Sequence, residues 1–101
     1  MREDFQPAVY LLASARNGML YAGATSNLVA GIHQHRSRAV PGFTRDYAVK
    51  RLVWWEQHAT MAITREKRIK KWNRAWKLNL IEAGNPNSRD LAEEFGFAPL
   101  S

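Results

Sequence analysis

The stretch "PAVYLLASARNGMLYAGAT", residues 7–25, decides the fold, because it holds two apolar runs on either side of a turn signal. The first run covers residues 7–14 and the second covers residues 19–25. Asn17 and Gly18 lie between them, and both tolerate the positive φ that a type I′ hairpin turn requires. The stretch therefore predicts two antiparallel strands joined by a tight turn, with Asn17 and Gly18 as structural residues.

Two tyrosines stand eleven residues apart on these strands, Tyr10 on the first and Tyr21 on the second. In a hairpin centred on Asn17 and Gly18, the two side chains share one face of the sheet. Strand tyrosines are commonly half-buried packing residues, and the alternative is a pair of phenols lining a site. A phenol has a pKa of about 10, so a tyrosine that acts as a base near neutral pH needs a neighbouring cation.

The next segment, "SNLVAGIHQH" at residues 26–35, predicts a helix capped by Thr25 or Ser26. Its apolar positions recur at steps of four and three, and both Gly31 and His35 lie on that apolar face. Glycine in a helix interior costs about 1 kcal/mol relative to alanine. Gly31 is therefore an unexpected residue one turn before a histidine.

The second half of the chain begins with a basic loop at residues 36–47, after which "KRLVWWEQH" at residues 50–58 predicts a third, largely buried strand. A second helix is capped by Thr60 and runs to Ala83, with an interruption near Asn73. A last short helix is predicted over residues 88–96, capped by Ser88 and ended by Gly96. The order β-β-α-β-α-α predicts an α+β fold with an antiparallel sheet.

Composition restricts both the architecture and the partners of the protein. The 101 residues suffice for one domain, which we assign to residues 1–101. Fifteen Lys and Arg against nine Asp and Glu give a net charge of +6, which favours a polyanion, most often nucleic acid. The absence of cysteine excludes disulfides, thiolate zinc sites and a cysteine nucleophile. Without a signal peptide or an apolar stretch of ~20 residues, we expect a cytoplasmic protein with no membrane partner.

The second predicted helix contains "TREKRIKKWNRAWK" at residues 64–77, where Glu66 is the one carboxylate among many cations. Glu66 and Lys70 form a favourable i,i+4 pair on a helix. The alternative is that Glu66 is a ligand for a hard cation, since Mg²⁺ commonly takes only one or two protein carboxylates. Trp72 and Trp76 fall on the apolar stripe, so we predict that both face the core.

In this order the segments resemble the GIY-YIG nuclease domain in its small, stand-alone bacterial form. "AVY" at residues 8–10 and "YAG" at residues 21–23 stand for the two signature triplets, and "TSNL" opens the first helix. "GFTRDY", "LVWWE", "REKRIKKWNRAWKLNLIE" and "NP" follow in the expected order. The resemblance covers about residues 7–91 and implies a three-stranded antiparallel sheet flanked by helices.

The resemblance also implies hydrolysis of a nucleic-acid phosphodiester with one divalent cation, Mg²⁺ or Mn²⁺. DNA is the expected substrate and RNA the alternative, and no haem, flavin or nucleotide cofactor is implied. Carried over by position, Tyr10 is the general base or orients the attacking water, and Tyr21 positions that water or the phosphate. His35 assists from the first helix, Glu66 holds the metal, and Asn85 corresponds to a structural asparagine.

One position departs from the family pattern. Relatives carry an arginine four residues before the histidine, where this chain has Gly31. Loss of a preorganised cation at the phosphoryl oxygens typically costs about a hundred- to a thousandfold in rate.

Two functions follow: a metal-dependent endonuclease impaired at Gly31, or a catalytically inactive nucleic-acid-binding module. A structural or interaction domain, the third possibility, has no dedicated feature. The shared basic surface is predicted to comprise Arg36, Arg38, Arg45, Lys67, Lys70, Lys71, Arg74 and Lys77.

Overall fold

A computed structural model of the protein describes residues 7–15, 18–36, 49–58 and 63–97, apart from the side chains of His35 and Ile63. The predictions that lie outside the described residues concern Asn17, Arg38, Arg45 and Thr60.

The described elements follow the predicted order, with one 3₁₀ helix in place of the last helix. They are β1 (Ala8–Ala13), β2 (Leu20–Thr25), α1 (Leu28–Arg36), β3 (Arg51–Gln57), α2 (Ile63–Lys71), α3 (Arg74–Gly84) and the 3₁₀ helix (Leu91–Phe95). The α+β class and the three-stranded antiparallel sheet are therefore confirmed. In the part of the chain that the structure describes, every helix is too short or too polar to cross a membrane.

The strand order is β2-β1-β3, so β1 is paired on both of its edges. All six residues of β1 are buried. Its even-numbered positions, including Tyr10, pack with α1 and the 3₁₀ helix. Its odd-numbered positions pack with α2 and α3 on the other face. This two-sided burial explains why β1 has a continuous apolar sequence instead of an alternating one.

The pairing of β1 with β2 is displaced by two residues from the predicted register. The Gly18 N–H donates to the Ala15 carbonyl at 2.9 Å at the end of the hairpin. Tyr10 pairs with Gly23 as a result. A displacement of two residues in the pairing preserves the face of every side chain, so the two tyrosines still share one face.

β3 contains an irregularity that the sequence pattern did not predict. The register shift in the pairing with β1 leaves Val53 as an extra residue between Leu52 and Trp54, which is a β-bulge. The Leu52 N–H, which the bulge displaces, donates to the Asp90 Oδ1 at 3.1 Å. The bulge therefore depends on a carboxylate from the C-terminal segment.

Asp90 joins three elements through its buried carboxylate, which is only 3% exposed. Its Oδ1 also accepts from the Ala92 N–H at 3.2 Å and so caps the 3₁₀ helix, a position that we had predicted for Ser88. Its Oδ2 pairs with the Arg36 guanidinium at the end of α1. The Arg36 Nε donates to the Lys50 carbonyl at 3.2 Å. Because this side chain points into the fold, we remove Arg36 from the predicted basic surface.

The long second helix of the prediction is two helices, with the break at the predicted place. Asn73 caps α3, and its Oδ1 accepts from the Trp76 N–H at 2.9 Å. Because α3 is a separate helix that begins after Asn73, the line of apolar side chains along α2 does not continue onto the same side of α3. Ile81 is buried and Trp72 half-buried, but Trp76 is 57% exposed. The prediction that Trp76 faces the core is wrong.

Asn85 ends α3 and is buried. Its Nδ2 donates to the Val53 carbonyl at 3.2 Å and to the Arg89 carbonyl at 2.8 Å. Its Oδ1 accepts from the Arg89 N–H at 3.0 Å. Asn85 thus connects the bulge of β3 to the segment that brings Asp90 into place.

We predict that Asp90→Asn lowers the free energy of unfolding by about 3 kcal/mol, because it leaves the buried Arg36 guanidinium without its counter-charge. The matched control is Glu94→Gln, which breaks the exposed Arg89–Glu94 pair and should cost less than about 1 kcal/mol. Urea denaturation of both variants measures the difference. Equal losses in the two variants would show that burial adds nothing to the Asp90 interaction.

Candidate active site

The candidate site begins with Tyr10, which lies in the central strand and is only 4% exposed. Its ring lies across Gly23 on the neighbouring strand, and a Cβ atom at Gly23 would stand 2.6 Å from the phenol oxygen. Any other residue would therefore displace the phenol. A glycine inside a strand often marks a place where another group approaches the backbone closely. Gly23 was therefore a signal for this contact in the sequence.

Tyr21 lies diagonally opposite Tyr10 on the same face of the hairpin. The ring centroids are 6.5 Å apart with a tilt of 38°, which is a normal separation for diagonal neighbours across two strands. The sequence-based expectation that the two tyrosines share a face is confirmed. They form the part of the site contributed by the sheet.

Glu66 and Lys70 bring α2 to the same edge of the sheet. The Lys70 Nζ donates to the Glu66 carboxylate at 2.6 Å and lies 5.9 Å from the centre of the Tyr21 ring. The Glu66 side chain is 14% exposed. Three of the four side chains carried over from the family, those of Tyr10, Tyr21 and Glu66, therefore lie together around the edge strand β2.

The electrostatics of this cluster keep Tyr10 neutral. Burial raises the pKa of the Tyr10 phenol above its ordinary value, and electrostatic interactions with Tyr21 and Glu66 raise it further. The hydrogen bond to Glu66 raises the pKa of the Lys70 ammonium, which stays charged. Tyr10 is therefore a neutral phenol, which can donate or accept a hydrogen bond.

The donor atoms of the cluster fit a hard cation. A carboxylate and two phenols are oxygen donors, the kind that Mg²⁺ prefers. Among the described residues, no group of three His, Cys, Asp or Glu could enclose a metal ion. An ion held by Glu66 would therefore keep most of its ligands as water or substrate oxygens, which is usual for Mg²⁺.

Gly31 is buried in α1 against the end of β2. A Cβ atom at this position would lie 3.2 Å from the Thr25 Oγ1 and 3.4 Å from the Thr25 Cβ. The Thr25 hydroxyl is held in place by two bonds to the backbone of Asn27, at 2.9 and 3.1 Å. Close packing against Thr25 therefore explains a glycine at position 31, and the sequence did not reveal this contact. His35 lies in the same helix, but its side chain is outside the described residues.

The start of α1 differs from the prediction in one respect. Asn27 provides the cap, because its Oδ1 accepts from the Ala30 N–H at 3.1 Å. Thr25 and Ser26, the predicted caps, precede this position. The Thr25 hydroxyl binds the Asn27 backbone instead, so it supports the cap from two residues earlier.

The remaining predicted basic residues lie on α2 and α3. Lys67, Lys71 and Arg74 are exposed, whereas Lys77 is half-buried. The sequence analysis missed Arg65, which pairs with Glu56 of β3 at 3.1 Å. The Glu56 carboxylate also bonds to His58 at 2.8 Å. These contacts connect the basic helix α2 to the sheet on the side away from Tyr10.

Comparison with known proteins identifies the family and supports the fold. Residues 6–79 match the family model of the GIY-YIG catalytic domain, and the chain belongs to the GIY-YIG family. The fold is similar to the solution NMR structure of a UPF0213 protein from Bacillus halodurans, with 25% sequence identity and a TM-score of 0.50. That similarity covers 82% of this chain and 92% of the other. The comparison with curated proteins gives no match.

We predict that Gly23→Ala lowers the free energy of unfolding by about 1–3 kcal/mol, because the new methyl group overlaps the buried Tyr10 ring. Gly84→Ala is the matched control, since a Cβ atom there meets nothing within 4 Å. It should be neutral or slightly stabilising. Thermal or urea unfolding measures both, and an unchanged stability of Gly23→Ala would mean that Tyr10 moves aside at no cost.

Proposed function

We propose that the protein is a metal-dependent endonuclease that hydrolyses phosphodiester bonds in nucleic acid, with DNA as the first substrate to test. The observation that carries this proposal is the meeting of Tyr10, Tyr21 and the Glu66 carboxylate at one edge of a GIY-YIG domain. The chain's net charge of +6 supports a polyanionic substrate.

In this proposal Glu66 would hold a single Mg²⁺ or Mn²⁺ ion, which supplies a Lewis acid for the phosphate and a lowered pKa for bound water. Tyr10, kept neutral by its burial, orients the attacking water through its hydroxyl group. Tyr21 positions that water or a phosphate oxygen. Lys70 lies beside Glu66 and Tyr21, where its ammonium group would bind an oxygen of the phosphate.

The second candidate function is a nucleic-acid-binding module without catalysis. The observation that favours it is Gly31, where the family resemblance implies an arginine and where even a Cβ atom would lie 3.2 Å from the Thr25 Oγ1. Both functions use the exposed lysines and arginines of α2 and α3. They differ in whether the phosphodiester is cleaved, so cleavage and binding must be measured separately.

We predict that Glu66→Gln lowers metal-dependent cleavage by about a hundredfold or more. The test is a panel of single- and double-stranded DNA and RNA with Mg²⁺ or Mn²⁺. Glu82→Gln, on the exposed side of α3, is the matched control and should cleave like the wild type. Binding in the absence of metal should change less than about threefold, because Glu66 contributes no positive charge. Binding by the wild type without cleavage of any panel member would favour the binding module.

We predict that Gly31→Arg raises cleavage at least tenfold, and by about a hundredfold if the guanidinium reaches the phosphate. Arginine offers several donors in a planar fork. Gly31→Ala is the control for the scaffold, because it adds a Cβ atom and no charge. Thr25→Ser combined with Gly31→Arg removes the methyl group that would lie 3.5 Å from the new Cβ, so this double variant should be at least as active. Equal activation by Ala and Arg would refute the missing-cation explanation.

A further inference from the structure

Two tryptophans form a hollow on the side of the sheet opposite to Tyr10. Trp72 and Trp76 meet edge to face with ring centroids 6.0 Å apart. With Asn79 and Leu80 they line a hollow of about 250 Å³. Trp72 packs against the residues of β1 that point away from Tyr10, so this hollow is separate from the candidate active site.

The packing of the fold does not explain why the Trp76 side chain is exposed. Among the described residues, the other exposed large apolar side chains, Met19 and Val29, are 39% and 38% exposed, against 57% for Trp76. The sheet-facing side of α3 is already filled by Ile81, which is buried, and by Leu78. An indole held in water on a rigid helix is an amphipathic surface that is suited to binding a planar partner.

The two helices on either side of Trp72 are strongly basic. Residues 63–84 contain seven Lys or Arg and two Glu, and one of those two, Glu66, is paired with Lys70. The Arg65 guanidinium, which pairs with Glu56, lies 5.5 Å from the centre of the Trp72 ring. A second copy of this chain would bring the same positive charge to the hollow, which opposes self-association there. The partner that complements both features is a planar ring attached to anions.

We propose that Trp76 and the hollow beside it stack an unpaired base of a single-stranded nucleic acid while the cations of α2 and α3 bind its phosphates. This inference rests on the proposed function, because it takes nucleic acid as the ligand. Aromatic rings within a basic groove are the common design of single-strand binding surfaces. The Asn79 amide lies in the hollow, where it can bond to the edge of a base.

The position of the hollow relative to Glu66 fits a substrate with an unpaired segment. Trp72 follows the end of α2 and lies six positions after Glu66, which corresponds to a rise of roughly 9 Å along a helix. That is about the length of three nucleotides at 3.4 Å each. A strand that runs along α2 therefore engages Trp76 a few nucleotides from the bond held near Glu66.

The experiment measures binding of three fluorescently labelled probes by anisotropy, in EDTA so that no strand is cleaved. The probes are an oligothymidylate of about twelve nucleotides, an abasic strand with the same number of phosphates, and a blunt duplex of equal length. The proteins are the wild type, Trp76→Ala, Trp76→Phe and the control Met19→Ala, which removes another exposed apolar side chain.

We expect Trp76→Ala to bind the oligothymidylate about five- to a hundredfold more weakly than the wild type. Trp76→Phe, which keeps an aromatic face, should lose less than Trp76→Ala, and Met19→Ala should bind like the wild type. The abasic strand and the duplex should not distinguish Trp76→Ala from the wild type, because neither offers an unpaired base.

Salt dependence separates stacking from ionic contacts. Trp76→Ala should lower affinity for the oligothymidylate by the same factor at every salt concentration. Lys71→Ala should reduce the slope of log affinity against log salt by about one, because one phosphate contact is lost.

Three outcomes overturn the inference while nucleic-acid binding stands: equal affinity of Trp76→Ala and the wild type for the oligothymidylate, equal weakening on all three probes, or loss of a dimer on Trp76→Ala in sedimentation. The last would make a second copy of the chain the occupant. Failure of the wild type to bind any probe, with an unchanged melting temperature, refutes the proposed function itself.

Discussion

The central strand β1 is paired on both edges and buried on both faces, and this constraint decides where chemistry can take place. A strand in that position can carry few polar side chains, because each buried polar atom needs a hydrogen-bond partner away from water. Tyr10 is its polar side chain, and its ring lies across Gly23, so the buried phenol reaches toward β2. The candidate site therefore lies at the outer strand β2, where Tyr21 and Glu66 come close to Tyr10.

Two glycines serve this arrangement from opposite sides. Gly23 removes a side chain from β2 so that the Tyr10 ring can cross it, and Gly31 removes one from α1 so that the helix can lie close to Thr25. The first glycine gives the site its phenol. The second allows α1 to pack closely on Thr25 at the position where the family resemblance implies an arginine.

The sequence predicted what depends on local pattern and missed what depends on distant partners. The three strands, the shared face of the tyrosines and the break near Asn73 follow from apolar spacing, turn residues and a capping side chain. The burial of Arg36 could not be predicted, because Asp90 lies 54 residues away. The prediction for Trp76 was wrong because it assumed one continuous helix. The break at Asn73 changes which side of α3 faces the core. The bulge at Val53 depends on the same distant carboxylate.

Asn85 and Asp90 lie beyond the end of the family model, which matches residues 6–79. The Val53 carbonyl accepts a hydrogen bond from Asn85, and the Leu52 N–H donates one to Asp90. A fragment cut at the family boundary would retain every side chain placed in the candidate site. It would also remove these two bonds to β3 and the carboxylate that pairs with Arg36. The stretch that holds the candidate site is thus shorter than the stretch whose contacts complete the sheet, and the residues beyond 79 hold the bulged part of β3 in place.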